Sequence, residues 1–285
     1  MKKENNLFKI VFTLPVIIYA ILLVLIPILY ILFLSFCKND SYGGIIYNFT
    51  LSNYKMIFNL TYLKVFIKSF IIGLITTFLC LLIAYPFSLA LVTKSSRMQN
   101  IITKLVMVPF LTNSLIRMYG WIVLLRKYGV INQFLIGLNI IKEPLSLMYN
   151  NFGIIIGMVY TLIPFMILPL NSALGTIEKS LLEASSDLGA SKWETFKNII
   201  LPQTLSGLFN GSIMVFTPAL GYFFIVDVLG GGKIMILGNL IKNQFLTARN
   251  WPFGAAISVF LVLITTLIIY IYRKFGGKME ELGGM

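Results

Sequence analysis

Histidine does not occur anywhere in the 285 residues. Its absence excludes Ser-His-Asp catalysis, HExxH metal sites and imidazole proton relays. Cysteine is almost as scarce. Cys37 and Cys80 lie in different segments without CxxC spacing, so neither a disulfide framework nor a zinc site is indicated, and no metal ligand set is assigned. A phosphate-cradling GxxxxGK[ST] loop is also missing. Gly230, Gly231, Gly232 and Lys233 come nearest, but Ile234 stands where a hydroxyl residue belongs and the upstream glycine is absent. The chain is therefore expected to bind no cofactor of its own, and any ATP-driven work must use a partner's ATPase.

Charge is sparse too, at 12% of residues, whereas 58% are hydrophobic and the mean hydropathy is +0.89. Soluble domains are about half apolar and a quarter charged, so this is an integral membrane protein. A bilayer core takes about 20 apolar residues per helix, which leaves room for several spans and for no sizeable soluble domain. The net charge of +13 is spread over many loops rather than gathered in one arm or helix. Nucleic acid is therefore not the expected partner; the cations face phospholipid headgroups and set orientation.

Six apolar runs follow one another, at about 10–36, 65–92, 101–125, 152–170, 205–228 and 253–272. The first is too long for a signal-peptide core and is read as a retained span. An all-α, multi-pass membrane protein with six transmembrane helices is predicted. With an even number of spans both termini share a side, and Lys2, Lys3 and Lys9 at one end with Arg273, Lys274 and Lys278 at the other put that side in the cytoplasm. Residues 50–62 predict a short amphipathic helix on the outer surface.

The longest charged island between apolar runs is Glu183 to Pro202. Ser191 and Glu194 have capping-box spacing, so a helix is expected to start at Ser191. Trp193, Phe196 and Ile200 give it one apolar face, and Pro202 is expected to end it. Upstream, Leu181, Ala184 and Leu188 form a similar stripe that stops at Gly189. A short helix, a glycine turn and a second short helix lying at the membrane surface are predicted. An ordinary amphipathic hairpin would show the same stripes.

The order of residue types goes further. It resembles the signature loop of permease subunits of binding-protein-dependent (type I) ABC importers, with the pattern Glu-Ala-Ala, Gly, then Ile-x-Leu-Pro on Glu183, Ala184, Ser185, Gly189, Ile199, Leu201 and Pro202. Ser185 departs from the usual Ala. The resemblance implies that a loop at 172–204 is cytoplasmic and docks into a groove on an ATPase subunit, with Trp193 and Phe196 as anchors. It divides the chain into a tail, first span and outer loop at 1–64, a permease core at 65–271 and a cytoplasmic tail at 272–285.

Polar groups inside a bilayer are costly and ask for a role. The third run contains Pro109, Thr112, Asn113, Ser114, Arg117 and Tyr119. A straight helix rising 1.5 Å per residue from Ile101 would place Arg117 about 24 Å along it. Asp227, the one acid in the apolar runs, ends the fifth span on that same outer side. One reading pairs Arg117 with Asp227; another leaves Asp227 to meet a cationic substrate; in a third, both snorkel into headgroups. Tyr222, Phe223 and Phe224 precede Asp227 and offer aromatic faces to an ammonium group, and the three glycines after it permit close backbone approach. Asn113, Asn171 and Asn210 either line a path or serve as interhelical hydrogen-bonding groups.

TNSLIRMYGW at 112–121, PFMILPL at 164–170, LLEASSDLGASKWETF at 181–196 and LIKNQFLTARNWPFGAA at 240–256 together look like the B-type permeases of spermidine/putrescine importers. That resemblance implies a permease subunit, not an enzyme, in a bacterial-type inner membrane. It also implies a second homologous permease, two cytoplasmic ATPase subunits and an extracytoplasmic polyamine-binding protein. The same architecture serving an inorganic anion, thiamine or iron is the nearest alternative, and a non-transporting membrane scaffold is another. With so few acids in the membrane, selectivity is expected to reside mainly in the binding protein.

Overall fold

The computed structural model describes residues 13–40 and 42–283. Lys2, Lys3, Lys9 and the beginning of the first apolar run lie outside the described residues, as do the side chains of Arg273 and Lys278. The chain opens with α1 (13–20), a π-helical turn at Ile21–Leu25 and α2 (Ile26–Ser35), which together form one 23-residue span. A hairpin of β1 (Lys38–Asn39) and β2 (Ile45–Ile46) and a short α3 (Ser52–Ile57) come next. They are followed by α4 (Leu60–Val92), α5 (Ser96–Leu111), α6 (Ser114–Leu125), α7 (Val130–Gly137) and α8 (Asn151–Gly175). Then come α9 (Lys179–Asp187), α10 (Lys192–Thr195), a π-helical turn at Phe196–Ile200, α11 (Leu201–Gly221), α12 (Phe223–Gly230), α13 (Leu237–Leu246) and α14 (Trp251–Gly283).

Among the described residues five helices are long and apolar enough to cross a membrane, and a bent pair, Ser96–Leu111 with Ser114–Gly137, makes six if it is one span. The apolar runs are met by helices, but two of their interiors, and the stop predicted at Pro202, differ from expectation. The third run is not straight: the two halves turn by 92° at Thr112–Asn113. Thr112 is extended and sends both its N–H and its hydroxyl to the Pro109 carbonyl, while Asn113 Oδ1 accepts from Leu115 N–H at 2.8 Å and caps α6. The polar cluster thus satisfies two helix ends, and the 24 Å rise assigned to Arg117 does not hold. Nor does Pro202 stop a helix. The Leu201 N–H reaches back five residues to the Phe196 carbonyl, and this wide turn lets the chain run unbroken from Lys192 to Gly221 despite the missing proline donor. The fifth run breaks at Tyr222, whose φ −74° and ψ 59° separate α11 from α12.

The chain divides into two compact units. One comprises Met1–Leu63 and Leu240–Ile264. In it, the buried Asn53 amide donates to the carbonyls of Ser35 (3.0 Å) and Cys37 (2.8 Å), and the Ser35 and Tyr54 hydroxyls share a 2.7 Å hydrogen bond. These bonds close the end of α2 onto α3. The predicted outer helix at 50–62 is therefore shorter than expected, and α4 starts already at Leu60. Cys37 packs with Leu34 and Ala255, and burial pushes its thiol above the ordinary pKa.

The other unit comprises Lys64–Asn239 and Thr265–Met285. Its core is built on α8, where Met158, Leu162, Met166 and Leu170 are fully buried against Val215 of α11, Ile225 and Val226 of α12, and Cys80 and Ala84 of α4. Lipid is as apolar as these side chains, so close packing rather than escape from water holds the helices together. Small residues supply that closeness. A Cβ on Gly207 would meet the Ala173 Cβ at 2.5 Å and the Pro169 carbonyl oxygen at 2.7 Å, and one on Gly211 would meet Met166 Sδ at 2.7 Å and the Met166 carbonyl oxygen at 3.2 Å, so α8 and α11 approach closely at two levels. By contrast α5 has no buried residue.

Candidate functional site: a helical hairpin and the helix breaks

Residues 179–200 form the helix, turn and helix expected from their stripes. The α9 helix ends with Leu188 N–H donating to Ala184 O (3.1 Å) and Ala190 N–H to Ser185 O (3.1 Å) around Gly189 at φ +78°. Glycine alone adopts that left-handed turn without strain. Ser191 then caps α10: its Oγ accepts from Glu194 N–H, and Glu194 Oε2 accepts from Ser191 N–H at 2.7 Å, a complete capping box.

The departure at Ser185 has a structural reason. Its buried Oγ shares a 2.7 Å hydrogen bond with Thr195 Oγ1, tying α9 to α10 where Ala could not. Trp193 is 69% exposed and stacks on Phe196 with centroids 5.5 Å apart. Phe196 meets the Tyr85 ring of α4 edge-on at 5.8 Å, and the Tyr85 and Thr204 hydroxyls share a 2.7 Å bond. The hairpin's aromatic face is thus joined to α4 and α11, and its outer end is left open. Leu181 and Leu188 are exposed beside it. Glu183, also exposed, lines a cavity of about 640 Å³ with Lys94, Ser95, Gln99 and Lys179, whereas Leu201 and Pro202 sit at the start of α11.

The other candidate residues gather at the two helix breaks. Asn113 is the cap described above. Arg117, one turn into α6, lies with its guanidinium carbon 5.8 Å from the Phe110 ring, on the far side of the same break, and its Nε is buried. Tyr222 is the junction itself and packs against the core; Phe223, 40% exposed, begins α12. Asp227, one turn on, accepts a 2.6 Å hydrogen bond from Asn239 Nδ2, and the same amide also donates to Phe223 O (3.1 Å). The side-chain amide of Asn171 is buried without a hydrogen-bond partner for either atom among the described residues, and Asn210 Oδ1 accepts from Tyr272 Oη at 3.3 Å.

Three residues here were not anticipated from the sequence. Asn239 is 3% exposed and binds the α12 break from a distant segment, and Gly238 beside it lies on the Gly221 backbone so closely that a Cβ would collide with its carbonyl oxygen. Tyr85 carries the hairpin contact into α4. Only a long-range fold reveals such pairs; the sequence signal at Gly238-Asn239 is a cap-like Gly-Asn outside any apolar run.

Five membrane-length helices and one bent pair, with a capped amphipathic hairpin continuous with one of the spans, define a polytopic helical membrane protein. Over 95% of this chain and 96% of the other, the fold matches a chain of a bacterial alginate ABC transporter solved in complex with an alginate pentasaccharide-bound periplasmic protein, with a TM-score of 0.78 at 13% identity. The model of the binding-protein-dependent transport system inner membrane component family matches residues 5–281. The chain belongs to that family and is an inner-membrane component of such a transport system. Among its relatives are the spermidine/putrescine transport system permease proteins PotB of Haemophilus influenzae, 40% identical over 96% of both chains, and of Escherichia coli, 41% identical over 90% of this chain and 93% of the other.

Proposed function

We propose that this chain is the transmembrane permease subunit of an ATP-driven polyamine importer for spermidine or putrescine. The observation that carries the substrate class is the 40% identity to a spermidine/putrescine permease over 96% of both chains. The subunit forms half of the translocation path with a second homologous permease. Two cytoplasmic ATPase subunits consume the ATP, this chain having no nucleotide site of its own, and an extracytoplasmic binding protein delivers the polyamine. Both termini and the hairpin face the cytoplasm.

In this reading the exposed Trp193 and Leu188 enter the ATPase surface, with Phe196 as the inner anchor. Glu183, Ala184 and Gly189 shape the loop, and Leu201 and Pro202 pass its displacement into α11. Support comes from the ring contact of Phe196 with Tyr85 and the hydroxyl bond of Tyr85 with Thr204, through which a push on the hairpin reaches two membrane helices. The substrate path runs past the helix breaks, with Asp227 as its acid, Tyr222 and Phe223 as its aromatic faces, and Asn113 and Arg117 flanking it at the other break. Asn239 holds the Asp227 carboxylate, so the acid acts from a fixed position.

The test is ATP-dependent uptake of labelled spermidine into vesicles holding this chain with its partner subunits, in wild-type and Asp227→Asn forms. Uptake by wild type that falls at least tenfold in the variant, at equal assembly and ATPase activity, is expected. Equal uptake by both removes Asp227 from the path; absence of spermidine uptake by the wild type refutes the substrate class.

A further inference from the structure

One stripe of α4 carries an unusual order of side chains. Lys64, Ile67, Lys68, Ile71, Ile72 and Ile75 follow the spacing of a single helix face and, with Asn151 and Ile155 of α8, line one groove of about 300 Å³. The two lysines lie one turn apart at one end, and everything beyond them on the stripe is isoleucine. Among the described residues no acidic side chain lines the groove. Ile67, Ile71 and Ile75 are 53%, 50% and 39% exposed, so the track is open to whatever surrounds α4.

We infer that this groove is a binding site for one anionic diacyl phospholipid, of which phosphatidylglycerol is the simplest. Charge and length both specify the occupant. Two ammonium groups without a neighbouring acid attract a phosphate and repel a headgroup that carries its own cation, so a net-negative lipid is favoured over a zwitterionic one. Asn151, in the first turn of the 25-residue α8, adds an amide and the positive end of a helix to the same end of the groove. From Lys64 to Ile75 the stripe rises about 16 Å at 1.5 Å per residue, and one leaflet of a bilayer core is about 15 Å deep. The cations therefore sit at headgroup level when the isoleucines span a single acyl layer. Lys68, inside the apolar run, reaches that level by extending its stem along the helix. A protein helix seated in the same groove would have to present an acid to both lysines; a lipid phosphate meets both with one group.

The complete transporter, this chain with its second permease and ATPases, is purified in mild detergent and titrated with phosphatidylglycerol or phosphatidylcholine, and bound lipids are counted by native mass spectrometry. The wild type is expected to bind phosphatidylglycerol more tightly than phosphatidylcholine. Lys64→Gln/Lys68→Gln should weaken the tightest phosphatidylglycerol site by about 30-fold, as expected for two cations near a lipid phosphate, while leaving phosphatidylcholine binding unchanged. Lys64→Arg/Lys68→Arg keeps the charges and should keep the site, which separates charge from misfolding. Equal binding of the two lipids by wild type, or a phosphatidylglycerol affinity unmoved by the glutamine pair, overturns the inference. So does binding by the isolated chain that vanishes in the complete transporter, since the groove would then be covered by a partner subunit.

Discussion

Gly189 gives the sharpest test of the hairpin's role, because its surroundings separate two effects of substitution. At φ +78° it occupies backbone space that L side chains resist, yet among the described residues beyond its chain neighbours no heavy atom lies within 4 Å of where a Cβ would project. Gly189→Ala therefore costs only the left-handed strain, about 1 to 2 kcal/mol. Gly189→Arg carries the same backbone strain, and its Cβ likewise has open space among the described residues. Both variants should insert in the membrane, and amide exchange at the turn should rise about 5- to 30-fold in each. Their uptake should differ. If the apex of the turn enters a partner surface, alanine leaves most ATP-dependent spermidine uptake intact, whereas arginine abolishes it and uncouples the ATPase. Equal uptake by the two variants, in vesicles matched for assembled complex, would falsify a docking role for the turn.

Three further substitutions probe the scaffold. Asn132 is fully buried; its amide donates to Lys127 O (3.0 Å) and Leu145 O (2.9 Å), and its Oδ1 accepts from Leu145 N–H (2.9 Å). Asn132→Leu strands these backbone groups at about 1 to 3 kcal/mol each, so thermal inactivation of the purified complex should begin several degrees lower, and an unchanged profile would show the loops to be held otherwise. Gly238→Ala drives a methyl into the Gly221 backbone and should cost about 1 to 3 kcal/mol. Gly232→Ala, with open space around it, should cost only its left-handed strain; the reverse order in melting experiments would contradict the packing described here.

Composition and apolar run length were enough to read an all-α membrane protein with six crossings, since each run needs only to be long and nearly uncharged. The hairpin was equally legible, because a capping box and a glycine turn are local devices written in adjacent residues. Errors arose where one residue type serves two purposes. Thr112, Asn113 and Ser114 read as polar groups within a span, but Asn113 is a helix cap and the three mark a 92° turn; Pro109 just upstream was the available clue. Pro202 read as a stop because its missing donor ends most helices, whereas a π-helical turn bridges the gap. Asn239 and Tyr85 were invisible because their partners lie in distant segments, where periodicity carries no information.

The two glycines of α11 have a mechanical consequence. Side chains between helices act as a compliant layer that absorbs small shifts by changing rotamer, and at Gly207 and Gly211 α11 contributes none of that layer, so Ala173 and Met166 of α8 pack directly on its backbone. Close packing of this kind is expected to make α8 and α11 move together, so that a displacement at the foot of α11 would be shared with α8. By contrast α5 has no buried residue and meets α8 through the edge-on Phe110 and Phe165 rings, so any relative movement is expected to fall on α5 and the 92° joint at its end.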